Sequence, residues 1–285
     1  MTIAARDAGR DALAAVGRSG RLDLVVGVCR GRSEVTHAYG EIPLKIAPVF
    51  RPAAGPVQVM LLQPTAGLFG GDRTVLRVAV ESGARVMLTS QAALQIHPSE
   101  DRVAQQQIDL HVQTGADAWY LNDPAIPFAR SRWRQRVAIA VEPGARLAWW
   151  DGVMAGRIAS GERWAFASAD IELTLGLAGR LAYLERFTIE PAIASPTGAW
   201  TMADYSYLAT ALVYDERLGA DARAALAAAL GDDVELAAAV DEPVPHLFVA
   251  RVLARTGPAF RKAQQRYLTA LFGLKGEPTP DLRKL

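Results

Sequence analysis

The sequence predicts a mainly β protein: a stacked-strand, β-helix-like or solenoid-like body with a few α-helices near its C-terminus. Three observations predict it. Short runs rich in β-branched and aromatic residues fill the chain from about residue 20 to 190, and none is long enough for a capped helix. A strand-turn-strand unit recurs around a Gly-Ala step, in AVESGARVML, HVQTGADAWYL and AVEPGARLAWW, with glycines at 83, 115 and 144. After Pro191 alanine and leucine take over from the β-formers.

The elements follow in order. Residues 1–20 are a polar, Ala-rich lead-in with no element assigned. Leu22, Leu24, Val26 and Val28 then alternate with Asp23, Val25 and Gly27, the period of a strand, in which Cys29 reads as a small buried apolar residue. Thr74–Val80, Arg85–Leu88, Gln107–Val112, Ala118–Leu121, Gln135–Val141 and Arg146–Trp150 are further strands. The Gly-Ala steps lie 32 and 29 residues apart, and a looser copy, LTLGLAGRLAYLERFTIEP, turns at Gly179, 35 residues on. Each copy is expected to form a hairpin-like rung, because glycine takes positive φ without a steric penalty. A unit near thirty residues cannot bury its apolar face alone, so the rungs must stack.

Asp204–Leu218 and Asp221–Leu230 read as helices, the second with Asp221 as N-cap and Gly231 as stop. A return strand at Leu247–Leu253 precedes a last helix, Pro258–Phe272, with Phe260, Tyr267, Leu268 and Leu271 on one stripe. The tail at Glu277–Leu285 is expected to fray. The organisation is therefore one domain over 21–275, with a β body at about 21–190 and 247–256, a helical part at about 200–232 and 257–273, and a tail at 276–285.

Composition excludes several classes. The chain has 285 residues, and 31 Lys+Arg balance 30 Asp+Glu, which argues against nucleic acid. One cysteine forms no intrachain disulfide and no CxxC zinc site, and fits a reducing compartment, so the expected location is cytoplasmic. No membrane span is expected: the uncharged run 52–71 is broken by Pro52, Pro56, Pro64 and four glycines. The 51% apolar content favours a buried partner surface, for which the C-terminal helices are the expected place.

Two motifs can carry chemistry. Gly67-Leu68-Phe69-Gly70-Gly71-Asp72-Arg73 is a glycine-rich turn that delivers a carboxylate to a strand start; without a following Lys-Ser/Thr it is not a phosphate loop, and its plain reading is a loop in which Asp72 accepts backbone N–H bonds. Trp149-Trp150-Asp151 runs on to Gly156-Arg157 and Glu162, where Arg157 would pair with Glu162 or Asp151. The alternative is that Asp72, Asp151 and Glu162 line a polar channel and offer oxygen ligands to a divalent ion in passage. Leu88–His97 is uncharged and hydroxyl-rich, either a hydrogen-bonded ladder or a functional lining. His37, His97, His111 and His246 are scattered, so no transition-metal cage is expected.

The segments GLFGGDR (67–73), GARVMLTSQAALQIHPS (83–99), DPAIPFARSRWRQR (123–136), EPGARLAWWD (142–151) and GRIASGE (156–162) resemble the urease accessory protein family UreD, also called UreH. FTIEP (187–191) and ALFGL (270–274) extend the likeness to about residues 22–275. The resemblance implies a non-enzymatic scaffold that binds apo-urease and UreF, and through UreF the GTPase UreG, and that helps nickel reach the urease active site through an internal wet passage. Nickel is then a cargo, and no tightly bound cofactor is expected. By the same resemblance the passage residues are Asp72, Asp151 and Glu162, with Thr89, Ser90 and Arg157 beside them. Two rivals stand: an interaction module of the same fold without an ion passage, and a solenoid enzyme acting on polysaccharide, with Trp149, Trp150 and Asp151 as its candidate groove.

Overall fold

Thirty residues hold two strands of alternating pattern, and neither strand has anything of its own to cover its apolar face. The chain covers both by winding. The computed structural model describes residues 19–53, 55–219, 221–231 and 233–282; residues 1–18 of the expected lead-in and 283–285 of the expected tail lie outside them.

β1 (Ser19–Cys29) and β2 (Arg32–Gly40) form an antiparallel hairpin, and β3 (Lys45–Ile46) pairs with β4 (Val57–Leu62). Three coils follow. The first is β5 (Arg73–Val80), β6 (Arg85–Ser90) and β7 (Gln95–Ile96); the second is β8 (Ala104–Val112), β9 (Asp117–Leu121) and β10 (Ile126–Pro127). The third is β11 (Arg132–Val141) with β12 (Arg146–Met154). The hairpin β13 (Ser168–Leu177) and β14 (Arg180–Ile189) ends the winding. After it come β15 (Tyr207–Tyr214), α1 (Asp221–Leu230), β16 (Leu236–Val244), β17 (Leu247–Ala254) and α2 (Gly257–Leu274).

Each coil gives one strand to each of two facing sheets, ordered β14-β13-β11-β8-β5-β1-β2 and β16-β17-β15-β12-β9-β6-β4-β3, while β7 and β10 pair on a third side. Coil stacks on coil in parallel. In the first sheet Arg73 lies beside Gln105 and Gln105 beside Arg134; in the second Arg85 lies beside Asp117 and Asp117 beside Arg146. These partners are separated by the spacings of the Gly-Ala steps, so the repeat in the sequence is the pitch of the coil.

The steps are corners between sheets. Gly83, Gly115 and Gly144 take φ of 74°, 71° and 70°, a region that costs any L side chain, and the alanine after each is fully buried. Each corner closes with an N–H bond from that alanine to the carbonyl three residues back, at 2.9, 2.9 and 3.1 Å. The expectation of hairpin rungs is corrected here, because the strands on either side of these corners enter different sheets. The copy at Gly179 is a true hairpin, with Ala178 and Gly179 both at positive φ and both strands in one sheet.

Four other expectations change. Asp204–Leu218 is not a helix: Tyr207–Tyr214 is a strand between β12 and β17, buried almost throughout, so it shows no alternation and tertiary pairing overrides its Ala-Leu propensity. Cys29 is exposed, at the end of β1 where the pairing with β2 turns. The tail is tied down as far as it is described, with Glu277 paired to Arg85 at 2.5 Å and Leu282 packed on the helical cluster. Asp221 opens α1 as its first residue rather than capping it.

The apolar stripe of α2 does not face solvent. Phe260, Tyr267, Leu268, Leu271 and Phe272 of α2 are buried with Met87, Trp119 and Trp150 on the outer side of the second sheet. The stripe expected to meet a partner is consumed inside the fold.

Candidate functional site

In-register strands set equivalent residues side by side, so inward positions form layers that cross the coils. Nearest the glycine corners the first sheet contributes hydrocarbon: Val80, Val112 and Val141, then Val78, Leu110 and Ile139. Two layers further the same register reads Thr74, Gln106 and Gln135. Across from them the second sheet changes in step. Leu88, Tyr120 and Trp149 share a layer, and two residues on lie Ser90, Asn122 and Asp151. Asp151 continues sideways to Thr210, and Thr210 to Arg251. One polar layer thus runs from coil to coil between the sheets.

Its hydrogen bonds join the sheets. The Gln135 amide donates to Asp151 Oδ2 at 2.8 Å and to Gln106 Oε1 at 3.1 Å, and Gly152 N–H donates to Asp151 Oδ1 at 2.9 Å. Thr210 Oγ1 donates to Glu185 at 3.0 and 3.1 Å. Arg251 forms an ion pair with Glu185 and donates to the Tyr183 hydroxyl at 2.9 Å. Asn122 Nδ2 donates to the Tyr120 hydroxyl at 2.5 Å, while Asn122 Oδ1 is buried without a hydrogen-bond partner.

Two cavities lie along this layer. The larger, about 190 Å³, is lined by Thr74, Ser90, Gln106, Tyr120, Asn122 and Asp123 among others. The smaller, about 30 Å³, is lined by Gln135, Trp149, Asp151, Glu185 and Thr210 among others, which is room for one water. The Gln106–Gln135 bond separates them. Burial pushes the Asp151 pKa up to about 6, and the Glu185 charge adds to it; the bonds from Gln135 and Gly152 offset only part of that. Asp151 is therefore a carboxyl that gains and loses its proton near neutral pH.

The other expected site residues lie elsewhere. Asp72 accepts the Phe69 N–H at 2.8 Å, the plain reading of its glycine loop. Glu162 accepts from Arg157 and from the Ala129 N–H at 3.0 Å, and the Arg157 hydrogen bonds hold its carboxyl below the usual carboxylate range. Asp72 and Glu162 are thus not in one lining with Asp151. They fix the two ends of a stack on the third side, where Phe69 lies on His97 at 4.2 Å, His97 meets Phe128 at 5.0 Å, and the Arg157 guanidinium covers Phe128 at 4.2 Å. Thr89 donates to Leu121 O at 2.9 Å and holds β6 to β9, whereas Ser90 donates to Asp123 at 3.2 Å and lines the larger cavity.

Trp149 and Trp150 are wholly buried, which removes the aromatic groove of the polysaccharide reading. Gln106, Gln135, Asn122, Glu185, Thr210 and Arg251 were not anticipated. The first three carry a signal: each sits two residues from an inward apolar residue, in phase with it, at matching points of successive repeats.

The β body of stacked coils thus carries a row of oxygen-bearing side chains between its two sheets. Among the described residues no three His, Cys, Asp or Glu side chains gather as a metal cage would, and no helix is long and apolar enough to cross a membrane. The model of the UreD urease accessory protein family matches residues 18–284, and the chain belongs to that family. It is similar to the urease accessory protein UreD of Deinococcus radiodurans, 33% identical over 61% of this chain and 63% of that protein. Urease accessory protein UreD 2 of Streptomyces griseus is 31% identical over 93% of both chains, and UreD of Mycolicibacterium gilvum is 30% identical over 74% and 76%. The chain is accordingly an accessory factor in urease maturation and not an enzyme.

Proposed function

We propose that this chain is the scaffold of a urease maturation complex, that it binds apo-urease and UreF, and UreG through UreF, and that nickel crosses it on the way to the urease active site. The family supports the accessory role. The observation that carries the nickel route is the polar layer, in which successive coils place an oxygen-bearing side chain at one register.

The donors suit a cargo. Carboxylates of Asp151 and Glu185, amide oxygens of Gln106, Gln135 and Asn122, and hydroxyls of Ser90 and Thr210 are oxygen ligands, and none of the thiolates or imidazoles that hold borderline metals tightly stands among them. Each step is then weak enough to leave. Asn122 lines the larger cavity, and its buried, unpartnered Oδ1 is an acceptor already stripped of water that a turn of the side chain would offer to a cation there. Passage requires the Gln106–Gln135–Asp151 bonds to part and Arg251 to release Glu185. Asp72, Thr89, Arg157 and Glu162 hold the walls.

The closed amide bridge favours the rival reading, an interaction module with no ion passage, and one experiment separates the two. Asp151→Ala is expected to lower urease activity in a host expressing the whole operon, while the complex with UreF still co-purifies. Asp72→Ala and Glu162→Ala are expected to lower it through a loosened third side. Full activation by Asp151→Ala in an assembled complex would establish the module without a passage.

A further inference from the structure

The two sheets differ in length by one strand. Beyond the third coil the first sheet adds two strands, β13 and β14, while the second adds three, β15, β17 and β16. Thr210 of β15 and Arg251 of β17 both bond to Glu185 of β14, so β14 stands opposite that pair and no strand of the first sheet stands opposite β16. Both walls of the gap are open. Ala239 and Asp241 pair beside Arg251 and Val249 of β17, on the face turned toward the first sheet, and both are exposed. On β14 the inward side chains Tyr183, Phe187 and Ile189 are only half-buried, whereas Ile171, Leu173 and Leu175 of the neighbouring β13 are buried. No strand and no other backbone hydrogen bond among the described residues meets the side of β14 away from β13. An edge of this kind is ordinarily blunted, as β16 is by Asp241, Glu242 and Pro243. From the register shift near Ala182 onward, β14 offers residues 183–189 without a proline, a run of about 24 Å.

We propose that an extended segment of another polypeptide adds to β14 as the missing eighth strand of the first sheet, opposite β16. Its backbone pairs with the open edge, and its inward side chains cover Tyr183 and Phe187. Those side chains are apolar and of modest size, because they meet Ala239 across the gap. A Lys or Arg belongs at the Tyr183 end, where the Asp241 carboxylate accepts only the Glu242 N–H among the described residues. A second copy of this chain is the wrong occupant. Brought in through its own β14, it would carry its own β17 into the place that β16 already fills, and two strands cannot share one spacing. The chain's own lead-in is the wrong occupant too: it joins β1, five strand spacings from β14, and residues 1–18 hold only Thr2, Ile3 and Val16 as β-formers. The seat adjoins Glu185 and Phe187, which line the smaller cavity, so the added strand closes that end of the polar layer.

The test is amide hydrogen exchange on the full chain, free and in the complex formed on co-expression with apo-urease, UreF and UreG. The docking rests on that proposed complex for its partner and not on the nickel route. Amides of residues 183–189 that point away from β13 are expected to exchange freely in the isolated chain and about tenfold or more slowly in the complex, together with one segment of the protein that donates the strand. Leu184→Lys charges the edge from β14 and Ala239→Tyr fills the gap from β16, and each is expected to weaken the complex about tenfold. Both side chains are exposed, so the fold is kept, and circular dichroism checks this. A complex whose β14 amides exchange as in the free chain, or that forms with unchanged affinity in both variants, overturns the added strand and leaves the proposed function standing. Slow exchange of these amides already in the free chain means a cover supplied by the lead-in or by a second copy, and overturns it too. Wild type that recovers none of the three proteins removes the proposed function and the added strand together.

Discussion

Replacing Asp151 by asparagine tests whether the polar layer is as deep as its geometry states. The folded-state pKa of about 6 stands above the ordinary 3.8, because the carboxylate is buried. The gap is about two units, or about 3 kcal/mol between the two protonation states. Below the unfolded pKa the carboxyl is protonated in both states, and above the folded one it is ionised in both. Between them the folded chain holds the proton more tightly, so this group makes the protein lose stability as pH rises through the window. Asparagine does not titrate, and Gln135 can turn its amide to bond with it. Urea unfolding of wild type and Asp151→Asn at a series of pH values should show the variant gaining up to about 3 kcal/mol on wild type as pH rises from about 4 to about 7. A difference that stays flat across that range would mean that Asp151 is solvated and the layer is open to bulk water.

Further predictions concern the frame. Gly144→Ala meets no steric contact but must hold φ near 70°, so it should cost about 1–2 kcal/mol, read from the urea midpoint. Asp117, 1% exposed, accepts from Arg85 at 2.9 Å and pairs with Arg146; Asp117→Ala takes this carboxylate from Arg146 and leaves Arg85 with Glu277, and should cost about 3 kcal/mol in the same assay, the low end for a buried pair since both arginines keep some solvent. Tyr267 donates from α2 to Leu212 O at 2.9 Å, and Tyr267→Phe should lower stability by about 1 kcal/mol by thermal unfolding, with the stacked coils intact.

What was legible followed from chirality and periodicity. A Gly-Ala step every thirty residues announces a turn and a stacked repeat, since only glycine accepts the left-handed conformation cheaply; that the turn is a corner between two sheets and not a hairpin was not legible, because the same glycine serves both. What was not legible lay where those signals vanish. Tyr207–Tyr214 is covered on both faces and so loses its alternation, and the misread strand hid Thr210 and its neighbour Arg251. In β14 the register shift opposite Leu175 and Gly176 turns Leu181 and Leu184 outward and Glu185 inward, against what hydropathy suggests. Charge drew attention to Asp72 and Glu162, which serve loops, while uncharged Gln106 and Gln135 occupy the layer. Asp151 was found because a carboxylate after two tryptophans is costly anywhere but in a built environment.

The most direct measurement is the nickel content of urease purified from cells in which Gln135 is replaced by leucine. The change removes the amide that bridges Gln106 and Asp151 and sets a hydrocarbon group midway along the oxygen row, yet touches no outer surface. Urease from these cells should carry far less nickel than urease matured by wild type, with the accessory complex recovered intact. Full nickel occupancy in the presence of that intact complex would show that the metal travels by another way.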